Sequence, residues 1–78
     1  MSDNVTWEIR KRLGVLSTNE KTGWTKEANI VSWNNGPAKL DIREWNPEHD
    51  RMSRGLALKE DEARALRAAL DRLFGGEK

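Results

Sequence analysis

Length, composition and charge place narrow bounds on this chain of 78 residues. A chain this short makes one small domain, residues 1-78, and buries only about 60% of the surface that it exposes when unfolded, so oligomerisation is a natural source of added stability. It has no cysteine and one histidine, which excludes disulfides and thiolate metal clusters, and we expect no cofactor. The net charge of +1 argues against binding polyanions by bulk charge alone. No long apolar stretch is present, so we expect a cytoplasmic protein that contacts no membrane.

The first half of the chain is typical of a β-hairpin followed by a second tight turn. Apolar and charged residues alternate over residues 5–16 (VTWEIRKRLGVL), which predicts a first strand that bends near Gly14. Residues 17–23 (STNEKTG) have turn chemistry, and residues 24–34 (WTKEANIVSWN) resume an extended pattern. The Asn-Asn-Gly-Pro sequence at 34–37 then predicts the second turn.

The third predicted strand, residues 38–45 (AKLDIREW), contains the most informative pattern. Alternation places Leu40 and Ile42 on one face. The opposite face holds Lys39, Asp41, Arg43 and Trp45. Cations in a core need partners, so we expect this second face to be open to water, with its indole exposed, as a surface for single-stranded nucleic acid. Asp41 is expected to pair with Arg43 or with Arg10.

The last third of the chain predicts a strand and a helix. Residues 46–51 form a connector that contains His49 in a solvated loop, and residues 52–58 predict the fourth strand. Residues 59–74 carry apolar side chains at helical spacing, with acidic residues in the first turn, and Gly75 is expected to end the helix. The predicted fold is α+β, with four antiparallel strands and a C-terminal helix in the order β-β-β-β-α. The first four and the last three or four residues are expected to be unstructured.

The strings LDIREW and MSRGLAL, followed by an amphipathic helix with an acidic start, resemble the transcriptional coactivator family called positive cofactor four. The similarity is greatest to its bacterial YdbC-like branch, which has stretches like LGVLSTNEKTGWTKE and NIVSWN, and it extends from about Trp7 to Leu70. This chain differs from the family pattern at Lys59, where a capping Ser, Thr or Asn is usual, and at Ala63, where a large apolar residue is common.

The resemblance implies a strongly curved sheet, a homodimer formed through the C-terminal helices, and sequence-tolerant binding of single-stranded DNA without catalysis. Such a protein would be nucleoid-associated and would act in transcription regulation or DNA maintenance. The resemblance makes Trp33 and Trp45 the base-stacking candidates, and the sequence leaves Trp24 open between core and interface. The residues expected to bind DNA are Arg10, Arg12, Lys21, Trp24, Lys26, Trp33, Lys39, Arg43 and Trp45.

Other interpretations stay open at this point. Large aromatic residues in strands are more often core than interface, which applies to Trp33 and Trp45 when each is taken alone. The same stacking surface also suits single-stranded RNA, and an exposed tryptophan on a dimer also suits a protein-interaction module. An enzyme is the least favoured class, and we expect no small-molecule substrate, since the sequence has no nucleophile-base pair and no glycine-rich phosphate loop.

Overall fold

The computed structural model describes residues 5–75, so the predictions for the two ends of the chain lie outside the described residues. Four strands and one helix follow one another as β1 (Trp7–Thr18), β2 (Thr25–Trp33), β3 (Ala38–Trp45), β4 (Leu56–Leu58) and α1 (Glu60–Phe74). The strands form one antiparallel sheet in the order β1-β2-β3-β4. The predicted α+β fold, an antiparallel sheet followed by a C-terminal helix, is confirmed. No helix within residues 5–75 is long and apolar enough to cross a membrane.

Strand β1 is irregular, and its irregularity changes which face its side chains occupy. Its pairing with β2 shifts between Ile9 and Lys11, between Arg12 and Gly14, and between Val15 and Ser17. Each shift leaves one extra residue on β1, which bends the strand and increases its twist. As a result Arg12 pairs with Asn29 on the same face as Ile9, whereas simple alternation predicts opposite faces.

Side-chain hydrogen bonds explain the first tight turn, and left-handed backbone angles explain the second. In the first hairpin the Asn19 side-chain oxygen accepts from the backbone N–H groups of Lys21 and Thr22, as an Asx turn requires. In the second turn Asn34 and Asn35 adopt φ angles of 52° and 62°, the left-handed region that asparagine tolerates best among non-glycine residues. The predicted turn at 34–37 is therefore correct, and it fixes the register of β2 against β3.

Strand β3 has the predicted bounds, but the fourth strand is shorter than predicted. Only Leu56–Leu58 pair regularly with β3, and Met52 forms an isolated bridge with Trp45. The intervening chain passes close to β3, because a Cβ atom at Gly55 would clash with the Cβ of Arg43 and the carbonyl oxygen of Ile42. Glycine is required at this position for the chain to enter β4.

Helix α1 begins after Lys59 and ends at Phe74, one residue shorter than predicted. The Lys59 side chain has no acceptor to offer, but its backbone N–H donates to Glu62 Oε1 at 2.9 Å, so half of a capping arrangement is present. No residue of α1 is buried within one copy of the chain. The apolar stripe of the helix therefore stays largely uncovered in a single subunit.

The buried centre of the molecule lies on the face of the sheet that carries the charged residues of β3. Within residues 5–75, the buried apolar side chains are Val31 and Trp45, whereas Glu27, Asn29 and Asp41 are buried polar ones. Antiparallel register places Asn29 beside Asp41 and Val31 beside Lys39 on this face. The prediction that this face is open to water is wrong for most of its residues.

Candidate nucleic-acid interface

Three tryptophans from three strands meet on the charged face of the sheet, and we call this the tryptophan face. The ring of Trp7 lies 6.2 Å from that of Trp33 and 5.8 Å from that of Trp45, at tilted angles of 46° and 52°. Such tilted pairs are favourable arrangements for aromatic rings. Trp7 and Trp33 are half-buried, so the cluster has a fully buried end at Trp45 and a partly accessible end.

Trp45 forms the buried end of this cluster, and the prediction that its indole projects into water is wrong. Its exposed fraction is 0%, with the Trp7 ring on one side and the His49 ring stacked on it at 5.8 Å and 20°. The predicted exposure rested on the charges beside Trp45 in β3. The two charges nearest to it on its face, those of Asp41 and Arg43, are paired with each other, so they do not force the face open to water. The role of Trp45 as a stacking residue stays a prediction.

Arg43 is held by a carboxylate and an indole. Its Nε and Nη2 atoms donate to the two carboxylate oxygens of Asp41 at 2.6 and 2.7 Å, a bidentate pair with Asp41 fully buried. The guanidinium also lies over the Trp33 ring, 4.5 Å from its centroid. Of the two predicted partners of Asp41, Arg43 is the one observed. Arg43 therefore restricts the orientation of the Trp33 indole.

Glu27 is the centre of a second polar network on the same face. Its oxygens accept from Thr25 Oγ1 at 2.5 Å and from Asn29 Nδ2 at 3.1 Å, and His49 Nε2 lies 2.8 Å away. Burial raises the pKa of the Glu27 carboxyl, but hydrogen bonds from these three side chains and the charge of His49 outweigh that effect and leave the pKa below its usual range. The buried carboxylate is therefore charged at neutral pH.

The other predicted cations are divided among different parts of the surface. Register places Lys39 and Arg12 on the tryptophan face, where both are exposed. Lys26 pairs with Glu44, which puts it on the opposite face. Arg10 is the extra residue of the first irregularity of β1, and its Nε donates to Glu8 at 3.0 Å. Lys21 is exposed in the first hairpin turn. The six cations do not form one continuous stripe.

Trp24 stands apart from the three-tryptophan cluster. It is half-buried beside the first hairpin turn and lines a shallow depression together with Thr22 and Pro47. Its backbone N–H donates to Thr22 Oγ1 at 3.2 Å, which ties it to the turn. Trp24 therefore lies in a surface depression and outside the ring contacts of the tryptophan face.

Three residues that the sequence analysis did not single out have notable positions in the structure: Glu27, His49 and Arg54. Glu27 shares the alternation of Val31 and Trp33, so its place on the buried face was readable, but its partner His49 is 22 residues away in sequence. His49 is half-buried against Trp45 and is not a solvated loop residue as predicted. Arg54 is exposed and lines a groove with Lys26 and Leu56, next to the glycine that enters β4.

Comparison with known proteins places this arrangement in a family. The model of the family described as Transcriptional Coactivator p15 (PC4) matches residues 20–69. An uncharacterized protein of Treponema pallidum (strain Nichols) is 38% identical over 71 residues, which cover 91% of this chain and 82% of that protein. The matched region contains β2, β3, β4 and most of α1, including the residues that build the buried part of the tryptophan face. The chain belongs to the transcriptional coactivator p15 (PC4) family.

Proposed function

We propose that this protein is a homodimer that binds single-stranded DNA with little sequence preference, without catalysing a reaction, and acts in transcription regulation or DNA maintenance. Membership of the p15 (PC4) family supports nucleic-acid binding, typically of single-stranded DNA. The observation that carries the proposal is the partly accessible end of the tryptophan face, where the half-buried indoles of Trp7 and Trp33 share a face with the exposed cations Arg12 and Lys39.

Base stacking is the main source of affinity in this proposal. Trp33 is half-buried, and Arg43 lies over one face of its ring at 4.5 Å, so the indole is already oriented before a base arrives. Stacking of a base on an aromatic side chain contributes about 1 to 3 kcal/mol and is tolerant of sequence, because every base has a π face. Bases in a duplex are already stacked on one another. We therefore expect duplex DNA to bind more weakly.

Lys39 and Arg12 are the proposed phosphate contacts on the same face. Within residues 5–75, Lys39 forms no salt bridge, and Arg12 has only long contacts, 3.8 Å to Glu27 and 3.5 Å to His49 Nε2. Both side chains are therefore available to an incoming phosphate. Two cations from each of two copies would neutralise about four phosphates, which corresponds to a slope of log affinity against log salt near −3.

The uncovered helix supports the homodimer. The exposed fractions of Leu70, Leu73 and Phe74 are 44%, 62% and 61%, and Leu56 on the neighbouring strand is 52% exposed. Within residues 5–75, Val31 and Trp45 are the buried apolar residues of one copy, which is a small core for an independent fold. Association of two copies through α1 would bury this apolar surface, which stabilises a fold by about 25 cal/mol per Å².

A titration of labelled oligonucleotides tests the proposal. Fluorescence anisotropy would compare a 20-residue oligothymidine, a ribo-oligomer and a duplex at two salt concentrations, with the oligomeric state measured by light scattering. We expect the single-stranded DNA to bind at least tenfold more tightly than the duplex. Equal binding of both, or no binding of single strands, would refute the proposal, whereas tighter binding of the ribo-oligomer would assign the surface to RNA.

Two lysine variants locate the interface. Lys39→Ala should weaken binding and reduce the salt slope by about 0.7 per copy, because each copy loses one phosphate contact. Lys26→Ala is the matched control, since it removes the same charge from the opposite face of the sheet. If both variants weaken binding equally, the tryptophan face is not the interface.

A further inference from the structure

One buried carboxylate on the tryptophan face lies between two basic side chains from different parts of the chain. Glu27 Oε2 lies 2.8 Å from His49 Nε2, and Glu27 Oε1 lies 3.8 Å from Arg12 Nη1. The Glu27 side chain is 5% exposed and that of Arg12 is 61% exposed, so Arg12 reaches the carboxylate from the solvent side. Arginine keeps its charge at every physiological pH, whereas histidine changes its charge between about pH 5 and 8. The attraction between Glu27 and Arg12 therefore depends on the charge of His49.

We propose that His49 is a pH-sensitive switch for nucleic-acid binding, in which protonation of its ring releases Arg12 from Glu27 to a phosphate of the bound strand. This inference rests on the proposed binding of single-stranded DNA, and it adds a regulation of that surface. Charged His49 neutralises Glu27 and repels the guanidinium of Arg12, whose Nη1 lies 3.5 Å from His49 Nε2. When His49 is neutral, Arg12 is the cation that balances the buried carboxylate, so a phosphate must compete with Glu27 for it.

Both ring nitrogens of His49 face hydrogen-bond acceptors. Nε2 lies 2.8 Å from the carboxylate of Glu27, and Nδ1 lies 3.2 Å from the carbonyl oxygen of Pro47. The charged ring has two N–H groups and donates to both acceptors, whereas the neutral ring has one N–H group and leaves one of the contacts without a proton. Loss of the proton therefore weakens the attachment of the ring and at the same time leaves the charge of Glu27 to Arg12.

Strand β3 places one further charged side chain beside Glu27, and that side chain has a partner of its own. Arg43 lies opposite Glu27 in the register of β2 and β3. Its guanidinium donates to both carboxylate oxygens of Asp41, at 2.6 and 2.7 Å. The neighbour of His49 on the same strand is the uncharged indole of Trp45. Arg43 therefore does not take the place of His49 beside the carboxylate of Glu27.

The carboxylates that flank His49 in the connector are also held by another residue. Asn46 Nδ2 donates to Glu48 Oε1 at 3.2 Å and to Asp50 Oδ1 at 2.6 Å. The side-chain oxygen of Asn46 accepts from the backbone N–H of Asp50 at 3.0 Å, and Asn46 itself is buried. These two carboxylates therefore stay with the connector, and the ring of His49 contacts the carboxylate of Glu27 instead.

The single histidine of the chain makes the effect of this switch measurable. Ordinary carboxyl groups titrate near about pH 4 and a terminal amine near about pH 8, so histidine is the side chain whose charge changes between about pH 5.5 and 7.5. Thymine has no group that titrates in this range. Coupling between two bound species, here a proton and a DNA strand, is about 5- to 150-fold in proteins, and we expect oligothymidine to bind about tenfold more tightly at about pH 5.5 than at about pH 7.5.

Fluorescence anisotropy and calorimetry on the whole chain test the switch. Anisotropy would measure the affinity for oligothymidine at both pH values and constant salt. Calorimetry in two buffers of different ionisation enthalpy should show that binding takes up protons near about pH 6.5, because binding and protonation favour each other reciprocally. An affinity that is equal at both pH values, or binding without proton uptake, would overturn the inference and leave the proposed function standing. Absence of binding at both pH values would overturn both.

Four variants assign the pH dependence to its residues. His49→Asn tolerates the left-handed φ angle of 61° but cannot be protonated, so its affinity should not change with pH. Glu27→Gln should bind at both pH values as tightly as the parent does at the lower one, because no charge holds the guanidinium. Arg12→Ala should bind weakly at both. Lys26→Ala, on the opposite face, is the control and should keep the ratio of the parent.

The same variants separate this switch from a simpler effect, in which charged His49 attracts a phosphate by itself. That effect would survive removal of either Glu27 or Arg12, so the parent's pH dependence in folded Glu27→Gln or Arg12→Ala protein would contradict the inference. Arg12 is exposed, so its replacement leaves the packed part of the fold in place. If His49→Asn does not fold, loss of the pH dependence in Arg12→Ala decides in favour of the inference and its persistence decides against it.

Discussion

Replacing Trp45 by alanine should destabilise the fold severely. If the indole were exposed, as the sequence predicts, the same substitution would cost little stability. The Trp45 side chain is 0% exposed and contacts the rings of Trp7 and His49, each with centroids 5.8 Å away. Truncation of a buried phenylalanine or tryptophan to alanine costs about 3 to 5 kcal/mol, because the transfer free energy is lost and a cavity remains. A domain of this length has a total stability of about 4 to 12 kcal/mol, so the loss is a large part of the whole.

Urea unfolding followed by far-ultraviolet circular dichroism measures this effect without relying on tryptophan emission. With a denaturant slope of about 1 kcal/mol per molar, the midpoint of Trp45→Ala should lie about 3 M or more below that of the parent, at equal protein concentration. Trp24→Ala is the control, because that half-buried indole lies outside the cluster. A midpoint for Trp45→Ala within about 0.5 M of the parent would show that the tryptophan cluster does not hold the sheet together.

Three further predictions concern the buried polar residues of the tryptophan face and the close approach of Gly55 to β3. The lowered pKa of Glu27 means that its ionised form stabilises the fold above about pH 4.3 and that this contribution is lost as the pH falls through the lowered value, so Glu27→Gln should flatten the acid limb of a stability-against-pH curve. Arg43→Lys should cost about 1 to 3 kcal/mol in urea unfolding, because one ammonium cannot replace a bidentate pair with buried Asp41. Gly55→Ala should cost at least about 1 to 3 kcal/mol in the same assay, since the new Cβ meets the backbone of β3, and a stability equal to that of the parent would refute that packing.

The parts of the fold that could be predicted are those set by local patterns. The bounds of β3 were predictable because apolar and charged residues alternate from Ala38 to Arg43, turn residues precede the strand and Asn-Pro follows it at Trp45. The helix was predictable because its apolar spacing has the helical period and its first turn is acidic. Both signals arise within one segment, so no knowledge of neighbouring strands was needed.

The orientation of the tryptophan face could not be predicted from the same patterns. Lys39, Asp41 and Arg43 suggest a solvated face when each is considered alone, but Asp41 and Arg43 neutralise each other two residues apart. Burial then depends on partners from other segments, such as His49, which pairs with Glu27 from 22 residues away. The alternation of β1 indicated a bend near Gly14 but not the earlier register shift between Ile9 and Lys11, which moves Arg12 onto this face.

The internal pairing of these charges has a consequence for how the protein would discriminate between nucleic acids. The tryptophan face holds three cations, Arg12, Lys39 and Arg43, against the carboxylates of Glu27 and Asp41, so its net charge is small even though its centre is polar. The whole chain is likewise close to neutral at +1. A weak field gives little attraction to the phosphates of a duplex, whose binding depends on charge neutralisation. Stacking on indoles is open only to unpaired bases, so the proposed selectivity for single strands would follow from the scarcity of unpaired positive charge as much as from the tryptophans themselves.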